Sequence, residues 1–166
     1  MAIKDALLPE WDHEMGTTRR LLERVPPGDF SWKPHDRSMS LGQLAGHLAN
    51  LPRWCNLILD DTVLDLADIE DDRRSREPTS VEGLLKEFGQ KASAARANLA
   101  QRLDPELLAP WTLKNEGHVV FTLPRISAIR SFVINHSIHH RGQLTVYLRL
   151  RNVPLPPIYG PTADEG

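Results

Sequence analysis

PRISAIRSFVINHSIHHRGQLTVYLRLR, residues 124–151, holds most of what the chain reveals about itself. At 3.6 residues per turn, Ile126, Ile129, Val133, His136, His140, Gln143 and Tyr147 form one stripe. That spacing predicts an amphipathic helix, with Pro124 at its start, where a missing amide is tolerated. His136 and His140 stand four positions apart on the stripe, so their imidazoles leave the same face about 40° apart around the axis. The stripe directs both inward, between Val133 and Tyr147. Such a pair can bring two ring nitrogens to one ion at about 2.0–2.1 Å. By itself the pattern is weak, since any helix can contain it.

Working outward, the same period recurs three times. Leu8, Trp11, Met15, Thr18, Leu22 and Val25 predict a first helix, ended by Pro26-Pro27-Gly28-Asp29. Leu44, His47, Leu51, Trp54 and Ile58 predict a second, capped by Ser38 or Ser40 and kinked by Pro52 one turn beyond His47. Leu84, Phe88, Ala92, Ala95 and Leu99 predict a third, capped by Thr79 or Ser80. Residues 60–78, with the charged run Asp68 to Glu77, read as a solvated connector, Asp104-Pro105 marks the end region of the third helix, and 111–123 read as a small hairpin or an irregular loop. The tail from Val153 carries Pro154, Pro156, Pro157 and Pro161 and cannot be helical. The expectation is therefore an all-α fold: one four-helix-bundle domain spanning 1–166, with a proline-rich tail over 153–166.

His47 sits on its own stripe between Leu44 and Leu51 and also points inward. Three buried or half-buried imidazoles from two helices need partners, because an unsatisfied buried polar group costs a few kcal/mol. One divalent metal ion satisfies all three. The competing reading is that each histidine is an ordinary core residue bonded to a carbonyl. His139 lies about 60° from His136 and about 100° from His140 around the axis, which places it beside the site or on the surface. His13, His35 and His118 fall off the stripes or in loops and are expected to be exposed. Gln143 is placed to orient a ligand, and Tyr147 and Trp54 to line a pocket, with plain packing as the alternative for each. Gly142 predicts close approach of another helix, from this chain or a partner subunit, Arg141 a solvent-facing or partner-facing side chain, and Cys55 a small buried apolar residue.

Composition narrows the function classes. The chain has 166 residues, 40% hydrophobic and 25% charged, with a formal net charge of −2. No basic field offers itself to nucleic acid. No apolar run approaches the roughly 18 residues that span a bilayer, and the start predicts neither a signal nor a transit peptide. A lone cysteine, Cys55, fits a reducing cytoplasm.

The segments Leu-Leu-Glu-Arg-Val-Pro (21–26), Trp-Lys-Pro (32–34), Leu-Ala-Gly-His-Leu-Ala-Asn (44–50) followed by Trp54, His-Ser-Ile-His-His-Arg-Gly-Gln-Leu-Thr-Val-Tyr-Leu-Arg (136–149) and the tail 153–165 make the chain resemble the DinB/YfiT-like family of metal-dependent enzymes. The resemblance covers nearly the whole chain. It implies metal ligands at His47, His136 and His140, an up-down-down-up bundle with a long crossover between helices two and three, and frequent homodimers. It further implies a low-molecular-weight-thiol S-transferase, since characterised relatives include thiol S-transferases and a thiol-dependent isomerase.

Three neutral imidazoles leave a divalent ion at least one open position, which reads as catalytic or ligand-accepting rather than structural. Zinc leads the candidates, with nickel and iron also suited to imidazole. Beside a thiol transferase acting on an electrophile stand a metal-dependent hydrolase and a non-catalytic metal or small-ligand binding stress protein.

Overall fold

The computed structural model describes residues 1–69 and 77–165. Residues 70–76, the middle of the charged connector, and Gly166, the last residue of the tail, lie outside the described residues.

The chain is mainly helical, with a small sheet. In order it forms α1 (Ile3–Leu22), α2 (Leu41–Asn50), α3 (Arg53–Asp60), β1 (Val63–Asp65), α4 (Val81–Gln101), α5 (Asp104–Leu108), β2 (Pro110–Asn115), β3 (His118–Pro124), α6 (Arg125–Ile129), a π-helical turn (Arg130–Asn135) and α7 (His136–Leu150). α1 packs on α4 and α7, and α2 packs on α4 and α7, so these four helices meet in a ring around the core. Trp11, Leu21, Leu44, Leu48, Leu84, Leu99, Leu144 and Leu148 fill it, each at most 1% exposed. Among the described residues no helix is long and apolar enough to cross a membrane.

The helix starts follow local chemistry. Ser40 accepts from the Gln43 amide at 3.1 Å, while the Gln43 side chain accepts from the Ser40 amide at 2.9 Å, a reciprocal cap. Ser80 accepts from the Gly83 amide at 3.0 Å. Pro52 does more than kink the second helix. It divides it, and Trp54 and Cys55 restart through short bonds to the Leu51 and Pro52 carbonyls.

The all-α expectation needs correction. Strands β1, β2 and β3 form a three-stranded sheet in that order, with β1 parallel to β2 and β2 antiparallel to β3. The alternation over 110–124 drives the hairpin, and its turn uses left-handed backbone at Glu116 (φ 51°) and Gly117 (φ 79°). Asp65, at the end of β1, accepts from the amides of Ala67, Glu116 and Gly117 at 2.9, 2.9 and 2.6 Å. Part of the expected connector is thus a strand that clamps the hairpin turn. Arg125 ties the hairpin's exit to α3, donating from Nε to the Ile58 carbonyl at 2.9 Å and from Nη2 to that of Asp61 at 3.0 Å.

The fourth helical run also differs from its predicted phase. The buried stripe passes through Ile129, Val133 and Ile134, then Ser137, Arg141, Leu144 and Leu148. The predicted continuation through His136, His140, Gln143 and Tyr147 lies one residue away. A π-helical turn absorbs an extra residue, and Arg130–Asn135 forms one. Downstream of it the core face is displaced by one position.

This displacement overturns the expectation for Arg141 and leaves Gly142 facing away from the other helices of this chain. Arg141 is neither solvent-facing nor a partner contact: it is 1% exposed. Its Nη2 meets Glu14 Oε2 at 2.5 Å and Tyr159 Oη at 2.7 Å, and Nη1 donates to the Glu14 carbonyl at 3.0 Å. Gly142 is exposed, and a β-carbon there would meet nothing of this chain within 4 Å, so no helix of this chain requires it. Cys55 is buried, as expected. The tail folds back onto the helices through Tyr159–Glu14, Arg149–Asp164 and Arg24–Glu165.

Candidate metal centre

α2 and α7 pack against each other and present His47, His136 and His140 to one point, each half-buried on the flank of its helix. One ligand nitrogen from each lies within 4.8 Å of the other two. His136 Nε2 stands 2.8 Å from His140 Nε2 and 3.3 Å from His47 Nε2. For metal–nitrogen bonds of about 2.0–2.1 Å, those separations subtend roughly 85° and 105°. The first lies near an octahedral angle and the second near a tetrahedral one, and three protein nitrogens leave such an ion at least one further position.

Hydrogen bonding sets which nitrogens face inward. His140 Nδ1 donates to Gln143 Oε1 at 2.7 Å, and the His136 ring donates to the Phe132 carbonyl. Phe132 lies in the π-helical turn. Each ring thus has its proton on the far side, and two Nε2 lone pairs confront each other across 2.8 Å. Lone pairs so close repel unless a cation sits between them. The donor set therefore fits a divalent metal, with Gln143 and the Phe132 carbonyl orienting the ligands from behind.

The electrostatics favour the ligand form. Burial, then the neighbouring His140 and His136, push the His47 imidazole down to about 4. Burial also lowers His136 and His140, against the raising effect of the Phe132 and Gln143 hydrogen bonds. All three rings are neutral near pH 7, the state that binds metal.

Beside them lies a cavity of about 210 Å³, lined by His47, Asn50, Leu51, Trp54, Leu66, Leu113, Phe132 and His136. No ionised side chain is among these described lining residues. Lys91 Nζ donates to Asn50 Oδ1 at 2.6 Å and so holds the amide's orientation. The other sequence candidates separate here. Trp54 lines the cavity and Gln143 buttresses His140, whereas Tyr147 stacks edge-on against Trp32 at 5.8 Å and donates to the Met39 carbonyl. His139 is exposed, its ring 4.9 Å from that of His140. His13, His35 and His118 are exposed.

Sequence reasoning missed Leu66, Leu113 and Phe132 as cavity walls, because one follows β1, one lies in β2 and one in the π-helical turn. It also missed Glu14. That carboxylate is buried, but Arg141 and the Tyr159 hydroxyl already occupy it.

Comparison with known proteins places the fold. The chain is 26% identical over 162 residues to the uncharacterized protein YrdA of Bacillus subtilis, covering 97% of this chain and 90% of that one. It is 27% identical over 136 residues to YjoA of the same organism, covering 80% of each. A crystal structure of a DinB-like protein from Bacillus cereus superposes with a TM-score of 0.73 at 23% identity, over 95% of this chain and 98% of that one. The crystal structure of Bacillus subtilis YjoA gives 0.70 at 20% identity, over 93% and 98%. The model of the DinB family matches residues 1–166, and the chain, with its three histidines able to hold a metal ion, belongs to that family.

Proposed function

We propose that the chain binds one divalent metal ion, zinc first, through His47, His136 and His140, and uses it to transfer a low-molecular-weight thiol onto an electrophilic small molecule. The observation that carries this reading is the meeting of an open-sided triad of neutral imidazoles with a cavity free of ionised lining residues.

When bound, the ion supplies a positive charge that favours a thiolate over a thiol near neutral pH. The thiol must come from outside. Cys55 is fully buried and its pKa is pushed up to about 12, chiefly by burial, so the chain's own sulfur is not a nucleophile. In the reaction the thiol yields its proton to water, a carbon–sulfur bond forms, and the leaving group departs with its electron pair. Gln143 holds His140 in the ligating tautomer, and the apolar walls keep water from competing for the electrophile.

A hydrolase would need a general base near the ion. Among the described lining residues there is no carboxylate, and Glu14 is engaged by Arg141. The same reading takes the ring of α1, α2, α4 and α7 as the up-down-down-up bundle of a single domain, acting as a homodimer in the cytoplasm.

The test is elemental analysis of protein purified without chelator, followed by thiol conjugation assays with the metal retained. About one equivalent of metal and conjugation that disappears in His136→Ala support the proposal. Ester or amide hydrolysis without added thiol supports the hydrolase, and stoichiometric metal with neither activity a binding protein.

A further inference from the structure

The cavity has a one-sided relation to the metal ligands. His47 and His136 form part of its wall, but His140 does not, and its buttress Gln143 is exposed. Trp54 and Phe132 face the cavity from α3 and the π-helical turn. Leu66, just past β1, and Leu113 of β2 supply walls from the small sheet. This is the sheet's contribution to the site.

Size and charge define what fits. An apolar cavity of roughly 150 Å³ accepts benzene. At about 210 Å³ this one has room for a substituted ring with a short side group. No described lining residue carries a charge that could pair with an ionised ligand. Burying an ammonium there is unfavourable, because it finds no carboxylate partner and would face the charge of a metal ion held by His47 and His136. Burying an aromatic body between Trp54 and Phe132 gains area and ring contacts instead.

We propose that the electrophile is a mainly apolar small molecule with an aromatic body and no positive charge, seated in this cavity with its reacting carbon toward His47 and His136. This rests on the thiol-transfer reading of the site. The thiol, polar and water-soluble, approaches from the solvent side, where His140 and Gln143 lie.

The probes are 4-fluorobenzyl alcohol and 4-fluorobenzylammonium, the same ring without and with a charge that cannot ligate a metal. Binding is followed by ¹⁹F NMR on the full chain with its metal retained. The alcohol should bind at least about tenfold more tightly than the ammonium. Leu66→Trp, which fills the cavity from its rim, should weaken the alcohol by about tenfold or more, with metal content unchanged. Leu113→Trp is the second filling variant, and circular dichroism verifies that each is folded. Equal or tighter binding of the ammonium overturns the assignment, as does wild-type affinity in either folded variant. Stoichiometric metal and thiol transfer without alcohol binding overturn the ligand class alone. Protein that binds the alcohol but takes up no metal overturns the thiol-transfer reading and leaves the cavity's preference standing.

Discussion

Arg141 and Glu14, 127 positions apart in the chain, meet at 2.5 Å with both side chains almost wholly withdrawn from solvent, 1% and 7% exposed. Arg141 directly follows the ligand His140, so the pair fixes the rotation of α7 against α1 and thereby the direction of the neighbouring imidazole. Removing one partner leaves the other charge buried. Arg141→Ala should therefore destabilise the fold by about 3–5 kcal/mol in chemical denaturation. The double variant Glu14→Leu/Arg141→Met should recover more than half of that loss. A surface-like effect below about 1 kcal/mol in Arg141→Ala would contradict the burial.

Gln143 touches the site only through His140 Nδ1. Gln143→Ala should keep the fold and weaken metal affinity by about 10- to 100-fold in competition with a chromophoric chelator. His47→Ala and His140→Ala should remove stoichiometric metal altogether. Unchanged uptake in His47→Ala would show that the triad is not the binding site.

Acid should act on the triad in a definite direction. The His47 imidazole falls from its ordinary 6.5 to about 4 in the folded chain, so the unfolded chain binds more protons between those values. In protein stripped of metal, this contribution to stability is complete above pH 6.5 and is lost as pH falls through about 4. Thermal melts across that window should show Tm dropping with pH, and His47→Leu should flatten the profile. In the loaded protein, protons and metal compete for the same nitrogens, so metal release should follow the same acid limb.

Asp65 offers a second titration, outside the histidine triad. Its carboxylate sits below its ordinary 3.8, held there by the backbone amides of Ala67, Gly117 and Glu116. That support is present above 3.8 and disappears as pH falls through the lowered folded value. Hydrogen exchange at the Glu116 and Gly117 amides should be faster in Asp65→Ala at pH 6, with the difference from wild type vanishing in strong acid.

How much of this was legible in the sequence depends on how far each feature rests on local geometry. The stripes of α1 and α4 and the caps Ser40 and Ser80 are written in consecutive residues and emerge where the spacing places them. His47, His136 and His140 were identifiable because a slip of one position still leaves them on the flank facing the other helix. The burial of Arg141 was not. A helix reading assumes 100° per residue throughout, and the π-helical turn breaks that assumption without any proline or glycine to announce it. Two signals pointed that way: the adjacent apolar pair Val133-Ile134, and Leu144 with Leu148 off the predicted stripe. Strand β1 was illegible for another reason: it is three residues long and gains its hydrogen bonds from β2, 49 positions later at Val63 and Thr112.

The π-helical turn also uncouples the length of the chain from the direction of the site. Were Arg130–Asn135 to tighten into ordinary helix at constant length, everything downstream would turn by about one residue's worth, roughly 100°. His136 and His140 would swing into the centre of the core and Arg141 out of it. Losing a residue there has the opposite effect. Deletion of Ser131, exposed in that turn, lets the helix close up as a plain α-helix while Ser137, Arg141, Leu144 and Leu148 keep their inward phase. A shorter protein should thus still load metal, whereas one lengthened by a residue at the start of α7 should not, although every ligand is still encoded.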